Sequence, residues 1–432
     1  MFLSIAAVGL STSVLIVVAS LFGGFINVLE RSAIDAMGDV VLSPPSKFAK
    51  YELLIETLEQ TGEVKAATAM LSATGLLHLG KGNVRAVSIL GIEPERRAKV
   101  TGFKRSLIEQ SESARAPSFE VADFPERIGG FVGIGVIAEP DEKTDEYDFG
   151  EIRKMVGQQV VLTTGAVLGL QEDKGTTAQV KRKTVKFTIS DIVFTGVYDL
   201  DKRFVYLGIE QLQKILYPNE DTQVADRIQI KLKSGAETEV ALAEIRGVWQ
   251  SFASDQLGWS AYMIRQTDIA TAQELQSQYI AELLKQMGVL LLIFGVVSLS
   301  VVLLILCIFY MIVMTKQRDI AIMKSCGTTS STVALIFVGF GAFVGIIGSG
   351  IGVIAGYIVT KNINTIEEWI RIIFGLKLWK SSVYMFSKIP SEVDWVSALT
   401  IVLLAVAAAC LGVLIPSVVA ARTRPVEILR YE

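Results

Sequence analysis

Four long uncharged stretches divide the chain: Phe2 to Val28, Met287 to Met314, Val333 to Thr360 and Trp395 to Ile415. Each reaches the length of about 20 apolar residues that a helix needs to cross a hydrocarbon core. The first is expected to be a retained membrane helix rather than a cleaved signal. It starts directly after Met1, is too long for an h-region, and has neither a basic n-region nor a clear cleavage site. Pro416 is expected to end the fourth span, leaving a tail over 416–432.

Between the first and second spans, residues 29–285 are polar and hold no spanning stretch, enough chain for two subdomains. Alternating or β-branched runs predict strands at Asp39–Leu42, Val84–Leu90, Gln159–Leu162, Val185–Ser190 and Arg227–Leu232. Helical periodicity predicts helices at Tyr51–Gln60, Gly208–Leu216 and Ala236–Phe252. A further helix is expected from Asp268 to Gln286, running into the second span as a stiff link. Glu139–Glu151 reads as a solvated acidic loop and Gln171–Lys183 as a hairpin tip. The expected fold is therefore an α-helical membrane protein with four transmembrane helices and a large α+β domain between helices 1 and 2. Residues 361–394, between the third and fourth spans, read as a polar loop with interfacial aromatics Trp369, Trp379 and Tyr384.

Composition fits this division: 51% of residues are apolar, yet 20% are charged, so membrane and polar parts coexist. A net charge of -3 gives no reason to expect a nucleic-acid partner. Of the three cysteines, Cys307 and Cys410 lie in apolar spans and Cys326 lies in the loop after the second, so no disulfide framework is expected. With His78 the single histidine, a zinc site or a His-based triad is not expected either. None of the four spans carries a mid-span charge, which weighs against ion-coupled transport.

The loop over 315–332 is the charged connector between two membrane helices. With Lys316, Arg318 and Lys324, and with Arg422, Arg424 and Arg430 in the tail, it favours the cytoplasmic side. The opposite loop, however, carries Lys361, Arg371, Lys377, Lys380 and Lys388. In the third span Gly348, Gly352 and Gly356 share one helix face, continuing a series begun by Gly341 and Gly345, and predict close approach of another helix.

The run Lys316-Gln317-Arg318-Asp319-Ile320-Ala321-Ile322-Met323-Lys324-Ser325-Cys326-Gly327-Thr328 closely resembles the loop between the second and third helices of FtsX-like ABC permeases. Phe194-Thr195-Gly196-Val197-Tyr198-Asp199-Leu200-Asp201 and Asn83–Ile92 resemble the family's periplasmic, MacB-like core domain. Ile389-Pro390-Ser391-Glu392-Val393-Asp394-Trp395 and the tail Arg424–Glu432 look most like the lipoprotein-releasing permeases of the LolC/LolE type. The resemblance covers essentially the whole chain.

That resemblance implies a multi-pass protein of a bacterial inner membrane, with cytoplasmic termini and a periplasmic large domain. It implies a non-catalytic permease subunit, paired with a second permease chain, alike or different, above a LolD-like ATPase dimer that binds ATP and Mg. The sequence has no G-x-x-x-x-G-K-[ST] loop of its own, and no cofactor is expected in this chain. The 315–332 loop would be the coupling helix, with Lys316, Arg318, Asp319 and Lys324 facing ATPase charges, Ile320, Ile322 and Met323 filling its groove, and Gly327 making the turn. A lipoprotein would enter, from the outer leaflet, an apolar cavity between helices 1 and 2 of the two halves of the permease dimer, for which Val18, Phe22, Phe25, Leu290, Ile293, Phe294 and Val297 are candidates. It would leave on a LolA-like periplasmic carrier. The family's carrier-capturing hook falls nearest Gln171–Lys183, which lacks an apolar or proline-bearing tip. Two other readings stay open here. One is a mechanotransmission permease that drives efflux of a peptide or antibiotic, or regulates a periplasmic partner. The other is a membrane-anchored structural or sensory protein.

Overall fold

The computed structural model describes residues 1–422 apart from 81, 122–123, 125, 142–144, 169–178, 219–222, 376, 381–385 and 387. The tail motif at 424–432, Tyr384 and most of the 171–183 hairpin tip lie outside the described residues. The chain divides into two compact units, 1–28 with 279–373 and 389–432, and 29–278 with 374–388.

The first unit is built on four helices long and apolar enough to cross a membrane. They run Phe2–Met37, Ala272–Thr315, Ser330–Lys361 and Trp395–Arg422, and are called helices 1 to 4 below. All four exceed their apolar spans, helix 3 only slightly. Helix 1 continues nine residues past Val28, to Met37. Helix 2 starts well before Met287, at Ala272, where Thr271 and Glu274 form a capping box. The Glu274 amide donates to Thr271 Oγ1 at 3.0 Å, and the Thr271 amide donates to Glu274 Oε2 at 2.8 Å. Helix 4 does not end at Pro416 but passes through it to Arg422. Proline is tolerated inside membrane helices where neighbours make good the freed backbone, and Pro416 is buried, with Ser417 Oγ donating to the Leu414 carbonyl at 2.7 Å. The segment after helix 3 differs from the loop expected there: Ile363–Phe374 is an amphipathic helix with Trp369, Ile372, Ile373 and Phe374 exposed.

Helix packing in this unit rests on small residues. A Cβ on Gly348 would lie 2.8 Å from Val8 Cβ, one on Gly352 2.7 Å from the Gly9 carbonyl oxygen, and one on Gly356 3.2 Å from Ile16 Cβ. The predicted glycine face of helix 3 therefore meets helix 1, where absent side chains let the backbones close together. Gly341 and Gly345 face Val413 and Val406 of helix 4, and Gly412 faces Val302 and Ile305 of helix 2.

The second unit is mixed α/β. Its strands are β1 (Val40–Ser43), β2 (Phe48–Ala49), β3 (Val64–His78), β4 (Val84–Ile92), β5 (Gly129–Gly133), β6 (Gln159–Leu168), β7 (Gln179–Val193), β8 (Phe204–Gly208), β9 (Val224–Ala225), β10 (Arg227–Leu232) and β11 (Asp268–Thr271). Nine of them form one sheet in the order β11-β1-β10-β3-β4-β8-β5-β7-β6, and β6 returns to pair with β3. Six strands thus close a ring, β3-β4-β8-β5-β7-β6, while β10, β1 and β11 extend from it. The long β3 makes this possible: its first half pairs with β10 from Val64 to Met70, and Gly75 to His78 pair with β6. At the closure a Cβ on Gly75 would sit 2.6 Å from the Thr163 carbonyl oxygen, so only glycine fits without a shift.

Tyr51–Glu59, Ile209–Leu216 and Thr238–Asp255 are the helices that cover this sheet. Their apolar stripes, including Leu54, Ile55, Leu212, Ile245 and Trp249, join Val40, Leu71, Ile89, Val205 and Ile230 in one core. Asp268–Thr271 pairs with β1 as a strand, where helical periodicity had been read across the same residues. The β-branched Ile269 and Thr271 suit that edge, and the capping box sets the helix start after it.

Candidate functional site

The loop after helix 2 forms a short helix, Gln317–Ser325. It ends in a Schellman turn: the Thr328 amide donates to the Met323 carbonyl at 3.2 Å and the Gly327 amide to the Lys324 carbonyl at 3.1 Å. Gly327 has φ of +97°, a left-handed conformation that side chains resist. Thr329 then caps helix 3, its hydroxyl accepting from the Thr332 amide at 3.3 Å. The turn is thereby fixed at both ends.

The two faces of this short helix differ. Ile320 and Ala321 are buried, and Ile320 packs in a cluster with Val313, Phe337 and Ala420. Ile320 is thus part of the helix's seat and turned away from any groove of a partner. Ile322 and Met323 are exposed, at 52% and 38%. Lys324 Nζ donates to the Ala421 carbonyl at 2.7 Å, tying the short helix to the end of helix 4. That carbonyl lies in the last turn of helix 4, where the helix dipole favours a cation. Lys316 pairs with Asp319 at 2.9 Å, and Arg318 is exposed. Two apolar side chains thus stand exposed among charges on a firmly seated helix.

A second feature lies among the membrane helices. A cavity of about 660 Å³ opens between helices 1, 2 and 4, within the size range of small-molecule sites. Its wall is mostly aliphatic, and Ser11, Thr12, Ser298, Ser397 and Thr400 supply hydroxyls. Ser11 Oγ and Ser298 Oγ lie 2.9 Å apart and join helices 1 and 2. The residues anticipated for a cavity between two permease halves lie at other positions of helices 1 and 2. Val18, Phe22 and Phe25 are half-buried on helix 1, Leu290 and Phe294 half-buried on helix 2, and Ile293 and Val297 exposed; none lines this cavity. The lining on helix 2 is the neighbouring stripe Met287, Leu291, Gly295, Ser298, Val302. Paired serines in otherwise apolar spans were the available sequence signal.

In the α/β unit, Asp201 organises the Phe194–Asp201 motif. Its Oδ1 accepts from the Thr195 amide and hydroxyl, both at 2.8 Å, and its Oδ2 from the Gly196 amide at 3.1 Å. Gly196 supplies φ of +77° at the turn. Burial pushes the Asp201 pKa up to about 6 against the lowering effect of those donors. The motif is thus a carboxylate-centred loop. Among the described residues no cluster of His, Cys, Asp and Glu is suited to hold a metal.

Residues 291–425 match the family model for the FtsX-like permease C-terminal region. Over 99% of this chain and 93% of theirs, the chain is 27% identical to the lipoprotein-releasing system transmembrane protein LolC of Neisseria meningitidis serogroup B and 26% identical to LolE of Haemophilus influenzae. A LolC of Xylella fastidiosa is 26% identical over 66% of each chain. Among solved structures, the periplasmic region of MacB from Actinobacillus actinomycetemcomitans aligns with 57% of this chain and 95% of its own, at 11% identity and a TM-score of 0.34.

Proposed function

We propose, from the match of residues 291–425 to the FtsX-like permease C-terminal family model, that this chain is the transmembrane permease subunit of an ABC transporter releasing lipoproteins from the outer leaflet of a bacterial inner membrane. The observation that carries this reading is the end-to-end similarity to lipoprotein-releasing transmembrane proteins. On this reading the α/β unit lies in the periplasm and both termini lie in the cytoplasm. The permease is non-catalytic. ATP and Mg are bound by a separate LolD-like ATPase dimer, and a second permease chain completes the assembly.

The residues support a division of labour. Ile322 and Met323 insert into the ATPase surface, and Arg318 and Lys316 meet its acidic groups. The Lys324 bond to Ala421 makes helix 4 follow any movement of the short helix. The apolar cavity between helices 1, 2 and 4 offers acyl chains a dry wall, and its hydroxyls offer partners to an ester or amide at their head. ATP-driven closure then expels the lipid anchor towards a LolA-like carrier.

Pull-down of the solubilised chain from its native membrane tests this, with mass spectrometry of bound proteins. The expected result is an ATPase, a permease partner and acylated lipoproteins. Recovery of the folded chain with no ATPase would overturn the reading.

A further inference from the structure

The α/β unit contains a cavity to which the proposed lipoprotein release assigns no part. It measures about 470 Å³, and its lining includes Arg97 and Arg227 together with Phe103 and Tyr206. Arg97, on the helix Pro94–Val100, is only 6% exposed. Its Nη1 donates to Gln229 Oε1 at 3.1 Å and contacts Met70 Sδ at 3.6 Å, and its Nη2 donates to the Ala36 carbonyl at 3.2 Å. Phe103 and Tyr206 lie against the guanidinium, their centroids 5.2 and 5.7 Å from Cζ. Every one of these partners is neutral.

A buried guanidinium is normally met by a carboxylate or phosphate, because an uncompensated charge in a low-dielectric site is costly. Arginine does not escape by losing its proton. Yet neither Arg97 nor Arg227 makes an ion pair among the described residues, and the buried Nε of each lacks an acceptor. Arg97 also keeps one Nη2 hydrogen unspent, a charged donor that an anion can take. Asp35, the acidic residue of the lining, is already paired with Arg105 at 2.8 Å. Arg97 is therefore a buried cation with neutral partners only, and the half-buried Arg227 shares its lining beside aromatic surface, while the neighbouring carboxylate of Asp226 accepts from the amide and hydroxyl of Ser72.

We propose that this cavity binds a small organic anion, a carboxylate or phosphate head on an apolar body. The head lies between Arg97 and Arg227, and the body lies against Phe103 and Tyr206. The ligand is a regulator or stabiliser of the α/β unit and is distinct from the acyl cargo of the membrane cavity.

Isothermal titration of the full chain in detergent tests this, with benzoate, phenyl phosphate and the neutral analogue benzyl alcohol. Saturable binding of at least one anion is expected, with none by benzyl alcohol. Arg227→Gln is the informative variant, because the Arg227 side chain makes no bond that the fold depends on. It should weaken the anion roughly tenfold or more, as expected for loss of a charged hydrogen bond. Arg97→Gln should abolish binding, but it also frees Ala36 and Gln229 and can unfold the unit. No saturable binding by either anion, equal binding by benzyl alcohol, or unchanged affinity in a folded Arg227→Gln chain would each overturn the proposal.

Discussion

Asp201 accepts from three donors, yet burial raises its pKa from 3.8 to about 6. The folded chain thus holds this proton more tightly than the unfolded chain does. Its contribution to stability is greatest below about 4 and declines as the pH rises through about 6. Asp201→Asn stays neutral throughout. Between pH 4 and 7 its stability should move in the variant's favour relative to the parent by on the order of 3 kcal/mol. Thermal melts of both proteins across that range check this, and a constant gap would mean the carboxyl ionises as if exposed. The role of this aspartate was hidden in the sequence, where Phe194–Asp201 stood out as a motif without a reason. Gly348, Gly352 and Gly356 were legible because glycine at every fourth position marks a face whatever lies opposite. The lining of the cavity between helices 1, 2 and 4 was not legible, since an apolar span offers aliphatic side chains on all sides and only packing decides which of them point at one another.

At the scale of elements, close approach of helices 1 and 3 predicts an asymmetry between neighbouring glycines. Gly352→Val should destabilise the membrane unit by about 1–3 kcal/mol through overpacking against Gly9 and Thr12. Gly350→Ala, facing open space, should be neutral or slightly stabilising. Thermal stability in detergent separates the two, and equal effects would mean that the helices do not touch there. The start of helix 2 gives a second case: Thr271→Ala should cost about 1 kcal/mol by removing one arm of the capping box, measurable by thermal unfolding of the full chain. Thr271-x-x-Glu274 is a signature readable without coordinates, but the apolar positions around it looked helical from Asp268 onward. The strand there exists because β1 offers it a partner, a fact no local window contains. The same blindness hid β3, whose alanines, leucines and methionine suit a helix until β4, β6 and β10 claim its edges. The amphipathic helix Ile363–Phe374 was overlooked for a different reason. Its aromatic and charged residues fit an interfacial loop equally well, and only its periodicity, with Trp369, Ile372 and Ile373 on the exposed side, marks a helix suited to lie in a headgroup layer.

For the whole molecule, the seating of the short helix Gln317–Ser325 separates two kinds of variant. Ile322→Glu with Met323→Glu should abolish recovery of an ATPase while the chain still inserts in the membrane, because both side chains are exposed. Lys324→Gln should retain the ATPase but lower transport for each ATP hydrolysed, because the tie to Ala421 is weakened. Co-purification and coupled transport assays distinguish these, and ATPase retention by the double variant would move the docking surface elsewhere. Four membrane helices and an α+β insertion were evident from charge-free length and β-branched runs, but the closed ring was not, since β3 and β6 meet across some ninety residues of sequence. The order of strands in this sheet also governs how the protein is born. As the chain emerges from the ribosome, β1 comes first among the strands, yet its partners β10 and β11 come last. β3 must likewise wait for β6 before the ring can shut at Gly75. Contacts of such long span are slow to form and leave unpaired strand edges in the meantime. The unit cannot complete its sheet until residue 271 is available, so a chain stalled earlier presents a sticky β-edge to chaperones and proteases.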